Sequence, residues 1–121
     1  MKEIKIINTE SPFLNKRGLG VRSTFHDFVC VYFDGGPSFH IFTPDEIVVT
    51  GPAAAPAATL LAYKQIDGKE FPITALVTRV RSITERPGLM DGTITKRLRN
   101  LRAAGLVDYE YDETNKKYRK L

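Results

Sequence analysis

The chain has 121 residues, 42% hydrophobic and 26% charged, which excludes global disorder and sets a size of one domain or two small ones. No apolar run approaches the ~20 residues that cross a bilayer, MKEIKIINTE lacks the apolar stretch of a secretion signal, and the lone Cys30 excludes an internal disulfide framework. Net charge is +4 but unevenly placed: residues 1–55 hold five basic and six acidic groups, and residues 56–121 hold thirteen basic and eight acidic.

The first half reads as β. Glu3 to Ile7 (EIKII) makes a first strand and Gly20 to Thr24 (GVRST) a second. Asp27 to Phe33 (DFVCVYF) makes a third, whose β-branched and aromatic residues predict burial on both faces or nearly so. Asp34-Gly35-Gly36 supplies the positive φ values of a tight hairpin, so this strand pairs antiparallel with Phe39 to Phe42. Pro44-Asp45 is a turn, and Glu46 to Thr50 a further strand. Such closely spaced short strands predict a small, strongly bent antiparallel sheet or barrel. The Gly-x-Gly-Val strand, the hairpin and the Phe-x-Pro-Asp-Glu-Ile ending resemble SH3-type small barrels.

Gly51 to Thr59 (GPAAAPAAT) marks the seam between a β module, residues 1–52, and a helical module, residues 53–121. It reads as a short linker running into a helix that carries Pro56 in its first turn. Ala57, Leu60, Leu61 and Lys64 follow helical spacing, and Gly68 ends that helix. Phe71-Pro72-Ile73 is a brief extended piece, because proline disfavours helix for the residue before it. Thr74 is the expected cap of a second helix with Leu76, Val77, Val80 and Ile83 as its apolar face. Arg86-Pro87-Gly88 breaks the chain. Asp91 is the expected cap of a third helix, with Ile94, Leu98 and Leu101 inside and Gly105 at its end. Leu106 to Tyr111 alternates at strand period, Asp112 to Asn115 turns, and Lys116 to Leu121 returns as a second strand.

The order is helix, short strand, helix, turn, helix, hairpin. Together with T-x-T-K-R-L-R-x-L-R-A-A-G-L-V-x-Y-x-Y, it resembles the winged helix-turn-helix domains of MarR-type and related bacterial regulators, over residues 57–121. One departure is the connection from Ser82 to Met90, longer than the turn of a simple helix-turn-helix. The expected fold is α+β: a small antiparallel β sheet or barrel, then a winged helix-turn-helix of three helices and a β-hairpin wing.

With Ile94, Leu98 and Leu101 inside, Thr93, Lys96, Arg97 and Asn100 lie opposite, with Thr95 and Arg99 at the edges. These side chains hydrogen-bond to base edges or phosphates, and a helix fits the major groove. Arg79 and Arg81 on the second helix, and Lys116, Lys117 and Arg119 on the hairpin, are expected to bracket it along flanking backbone. The expected function is double-stranded DNA binding by a small transcriptional regulator, cytoplasmic and nucleoid-associated. Helix 91–104 would read the major groove and hairpin 106–121 would contact backbone. The alternative is a protein-interaction adaptor or RNA-binding module on the same fold.

No enzyme, metal or cofactor is expected. His26, Cys30 and His40 lack the paired short spacings of a four-ligand zinc site, and Cys30 reads as a small buried hydrophobe. No Ser-His-Asp set, phosphate-cradling glycine loop or carboxylate pair stands out. The aromatics Phe28, Tyr32, Phe33, Phe39 and Phe42 are largely needed for a core this small. The β module is expected to provide homodimerisation or an effector contact, and a protein partner is a further expectation.

Overall fold

The computed structural model describes residues 1–23 and 26–121, so the expected end of the second strand at Thr24 lies outside the described residues. Strands β1 (Lys2–Ile6), β2 (Arg17–Arg22), β3 (Val29–Tyr32), β4 (His40–Phe42) and β5 (Ile47–Pro52) form one antiparallel sheet in the order β4-β3-β2-β1-β5. Period-two alternation sends Ile4, Ile6, Val29, Val31 and Phe42 to one buried face, where Phe13 stacks on Phe33 with ring centroids 5.0 Å apart.

Two expectations change here. Strand β3 is buried on one face only: Val29 and Val31 are buried, while Cys30 and Tyr32 are half-buried. Cys30 lies in a cross-strand row between Val21 and Ile41, both exposed, so it is not a core residue. The hairpin is also wider than expected. Asp34 (φ 54°) and Gly35 (φ 67°) do make a tight turn, closed by the Gly36 N–H on the Phe33 carbonyl at 2.9 Å. Strand pairing, however, begins only at Val31–His40, so Phe33 to Phe39 form the connection and Phe39 lies outside the strand.

Helices α1 (Ala55–Gln65), α2 (Ile73–Thr84) and α3 (Asp91–Ala103) follow, with a second antiparallel sheet of β6 (Glu70–Pro72), β7 (Tyr109–Asp112) and β8 (Lys117–Lys120) in the order β6-β8-β7. Only Ala53 and Ala54 separate β5 from α1, and Ala53 is fully buried, so the seam is a packed corner. Pro56 lies in the first turn of α1 as expected. That helix stops at Gln65, and Gly68 (φ 81°) belongs to the turn beyond it.

Neither expected cap holds its place. Pro72, already extended in β6, takes the N-cap of α2, which leaves Thr74 inside the first turn. Met90 takes the N-cap of α3, and Asp91 becomes its first helical residue, where a carboxylate still favours the helix dipole. One C-terminus, that of α3, falls where the sequence placed it. Gly105 (φ 77°) completes a Schellman motif, with the Leu106 N–H on the Leu101 carbonyl and the Gly105 N–H on Arg102, both at 3.0 Å. Helix α2 ends in the same way on Glu85, a non-glycine residue at φ 57°, with the Arg86 N–H on the Arg81 carbonyl at 3.1 Å.

All four expected α2 positions and all three α3 positions are buried. They pack with Leu61, Phe71, Val107, Tyr109 and Tyr118, and the same core takes in Leu19 and Ala53 from across the seam. The Tyr63 hydroxyl donates to the Asp108 carbonyl at 2.6 Å, and burial pushes its pKa up. Among the described residues, no helix is long and apolar enough to cross a membrane.

Candidate nucleic-acid interface

Helix α3 has one sealed side and one open side. Ile94 and Leu98 are completely buried, whereas Thr93, Lys96, Arg99 and Asn100 are exposed. None of these four carries a salt bridge among the described residues. Arg97 and Arg99 exchange the places expected of them. Arg97 is half-buried, with its Nε buried and without a hydrogen-bond partner, and Arg99 points out. Arg97 lies three residues after Ile94 and four before Leu101, so it leans with both toward the core. Thr95 is half-buried as well: its hydroxyl donates to the Asp91 carbonyl at 2.9 Å, and it faces Tyr118.

On α2 the two arginines differ. Arg79 is exposed and donates only to the neutral Gln65 Oε1 at 3.2 Å. Arg81 donates through Nε to the Leu89 carbonyl at 2.8 Å and through Nη2 to Asp91 Oδ1 at 3.3 Å. It therefore clips the long Ser82–Met90 connection onto the start of α3. Its guanidinium is committed to the fold.

The hairpin turn is built by Asp112. Its Oδ1 accepts the backbone N–H groups of Thr114 (2.9 Å) and Asn115 (3.2 Å), and its Oδ2 accepts Asn115 Nδ2 at 2.8 Å. These bonds, led by the Asn115 backbone, hold the Asp112 carboxyl below its ordinary pKa. Lys116 follows at φ 53°, exposed at the turn.

Strand alternation then separates the hairpin into two unlike faces. Tyr118 packs inward against Phe71 (5.7 Å), Tyr109 (5.3 Å) and Tyr111 (4.8 Å). Burial raises its phenol pKa, Tyr109 and Tyr111 add to the rise, and Arg99 and the Thr95 hydroxyl oppose it. Lys117 and Arg119 lie on the opposite face. Register places Asp112 across from Lys117, and both Glu70 and Glu110 across from Arg119. Arg119 forms an ion pair with Glu110. Two expected phosphate contacts thus share a surface with three carboxylates, turned away from the Tyr118 side.

Two residues not singled out by sequence sit on the helix side of this sheet. Arg102 lies over the Tyr109 ring at 4.8 Å, and Tyr111, partly exposed, packs beside Tyr118. Cation–π pairing is visible in sequence only once the register of β7 is known. Lys120 is similarly engaged: its Nζ donates to the Ile66 carbonyl at 2.7 Å and lies over Tyr63, and burial lowers its pKa.

The soft ligands do not assemble. His40 pairs with the buried Val31 and packs against Phe13 and Phe33, while Cys30 projects from the other face of the same sheet. His26 stacks on Phe28 at 5.4 Å. Among the described residues, no group of three or more His, Cys, Asp or Glu is placed to hold a metal ion. No protein-family model matches the chain, and no curated protein or solved structure matches it.

Proposed function

We propose that the chain binds double-stranded DNA, with α3 as the reading helix of a winged helix-turn-helix, and acts as a small transcriptional regulator. The observation that carries this reading is the division of α3. Three apolar residues fix it to the core, while Thr93, Lys96, Arg99 and Asn100 stand in solvent with no carboxylate among them. An α-helix of ~10–12 Å diameter matches a major groove ~12 Å wide. In that pose Thr93 and Asn100 offer hydrogen bonds to base edges, and Lys96 and Arg99 meet bases or phosphates. Arg79 on α2 and Lys116 at the hairpin turn are the flanking cations. The element order supports the reading, as does pairing of β6 with β8, which ties the hairpin to the segment just before α2.

Titration of a fluorescein-labelled 20-base-pair duplex tests the proposal. Replacing Lys96 and Arg99 together with alanine is expected to weaken binding at least ~10-fold at moderate salt. Unchanged affinity overturns the role of α3. A second reading, a protein-binding adaptor, is favoured by the outer face of the hairpin, where Glu70, Glu110 and Asp112 alternate with Lys117 and Arg119. Absence of duplex binding even at low salt would overturn the DNA reading and leave this one standing.

A further inference from the structure

A cavity of about 220 Å³ lies where α1 crosses the first sheet. Its floor is apolar: Leu19 from β2, Ala57, Leu60 and Leu61 from α1, and the ring of Tyr32 from β3. One end is closed by the turn at Gly35, which sits so near α1 that a Cβ there would lie 2.4 Å from Leu60 Cγ. The rim carries the charge, from Glu3, Arg17 and Asp34.

The rim charges are not equivalent. Arg17, the one cation of the lining, already donates to Glu3 Oε1 at 3.4 Å, and the Thr50 hydroxyl donates to the same oxygen at 2.7 Å. Glu3 Oε2 and the Tyr32 hydroxyl have no partner among the described residues. Asp34 is paired with Lys16 at 3.4 Å, but Lys16 stands outside the cavity, over the rings of Phe13 and Phe33. Both rim carboxylates are themselves ion-paired, Glu3 with Arg17 and Asp34 with Lys16, but each keeps further lone pairs, and within the lining carboxylates outnumber cations. An anion would meet two carboxylates and a guanidinium that is already engaged.

We propose that this cavity binds a small aromatic amine in its cationic form, with the ring on Leu19, Leu60 and Leu61 and the ammonium at the Glu3 carboxylate. The volume is below the usual range for drug-sized ligands, ~300–1,000 Å³, and so selects a molecule of about ten non-hydrogen atoms. The ring of Tyr32 adds a cation–π surface to the carboxylates. The site draws on both halves of the chain, and a ligand there braces α1 against the sheet. The inference stands independently of the DNA reading.

The test uses the full chain and three probes of one shape: 2-phenylethylammonium, 2-phenylethanol and phenylacetate. The ammonium is expected to bind with a Kd of about 1 mM or tighter and at least tenfold better than phenylacetate. It should shift the amide resonances of Gly18, Gly35, Leu60 and Leu61. At ten times its Kd it should raise Tm by about 4–8 °C. Glu3→Gln, which keeps an acceptor for Thr50, should erase the preference for the cation. Ala57→Phe, at an exposed α1 position, should fill the cavity and weaken all three probes at least tenfold. Equal binding of phenylacetate, no shift at the cavity amides, or full affinity in Ala57→Phe overturns the proposal. No outcome here depends on whether the chain binds DNA.

Discussion

The salt dependence of duplex binding gives a numerical separation between two versions of the interface. Eight cations were candidates from sequence: Arg79, Arg81, Lys96, Arg97, Arg99, Lys116, Lys117 and Arg119. If each neutralised one phosphate, log K would fall with log salt at a slope of about −7, some 20,000-fold between 50 and 200 mM. Structure removes half of them. Arg81 is held by Leu89 and Asp91, Arg119 by Glu110, Lys117 faces Asp112, and Arg97 is half-buried. Arg79, Lys96, Arg99 and Lys116 remain, which predicts a slope of about −3.6 and a loss of about 150-fold over the same range. Fluorescence anisotropy at five or six salt concentrations measures it directly. Lys96→Ala and Arg99→Ala should each make the slope shallower by about 0.9, whereas Arg119→Ala should leave it within about 0.3. A wild-type slope near −7, or an Arg119→Ala effect equal to that of Lys96→Ala, refutes the claim that paired cations stay paired.

Three further outcomes follow from single sites. Gly105→Ala should cost about 1–2 kcal/mol in urea unfolding, all of it from backbone strain at φ 77°, because the added Cβ meets nothing within 4 Å. Leu98→Ala should cost about 2–5 kcal/mol, since the side chain is fully buried beneath α3; a loss under ~1 kcal/mol would mean that this face is not the core. Because the fold holds Asp112 below its ordinary pKa of 3.8, its ionised form contributes stability above that value, and the contribution is lost as pH falls through the lower folded value. An NMR titration of the carboxyl should show that depression, and Asn115→Ala, which removes the Nδ2 bond but keeps the backbone N–H, should reverse only part of it; a midpoint unmoved by the substitution would assign the whole depression to the backbone N–H groups.

Helical periodicity made the interior of the second half legible. Residues at 3.6 spacing are buried on α2 and α3 because nothing else on those helices can cover the core, and Gly105 marks its helix end because φ 77° suits little else. Helix starts were harder. Thr74 and Asp91 have good capping chemistry, yet Pro72 and Met90 are extended immediately before the first turn, and backbone conformation sets the boundary. The cation set was least legible, because a lysine or arginine count carries no pairing information. Glu70 and Arg119 are 49 positions apart and become neighbours only when β6 pairs with β8, a three-residue strand with a proline at its end. Likewise, nothing in DFVCVYF says that α1 covers the Tyr32 end of β3 and leaves Cys30 in a row between Val21 and Ile41.

The position of α1 has a consequence for any dissection of the chain. One side of this helix packs on α2 and α3, and the other meets Leu19 and Tyr32 of the first sheet. Cutting after Pro52 would bare Leu19, now 6% exposed, at a cost of about 1.5–3 kcal/mol for that side chain alone. It would also strip the half-buried ring of Tyr32. The freed sheet would then present new apolar surface beside the already exposed Val21 and Ile41. Self-association of an isolated first half would therefore report the cut, and dimerisation through the β module must be measured on the intact chain.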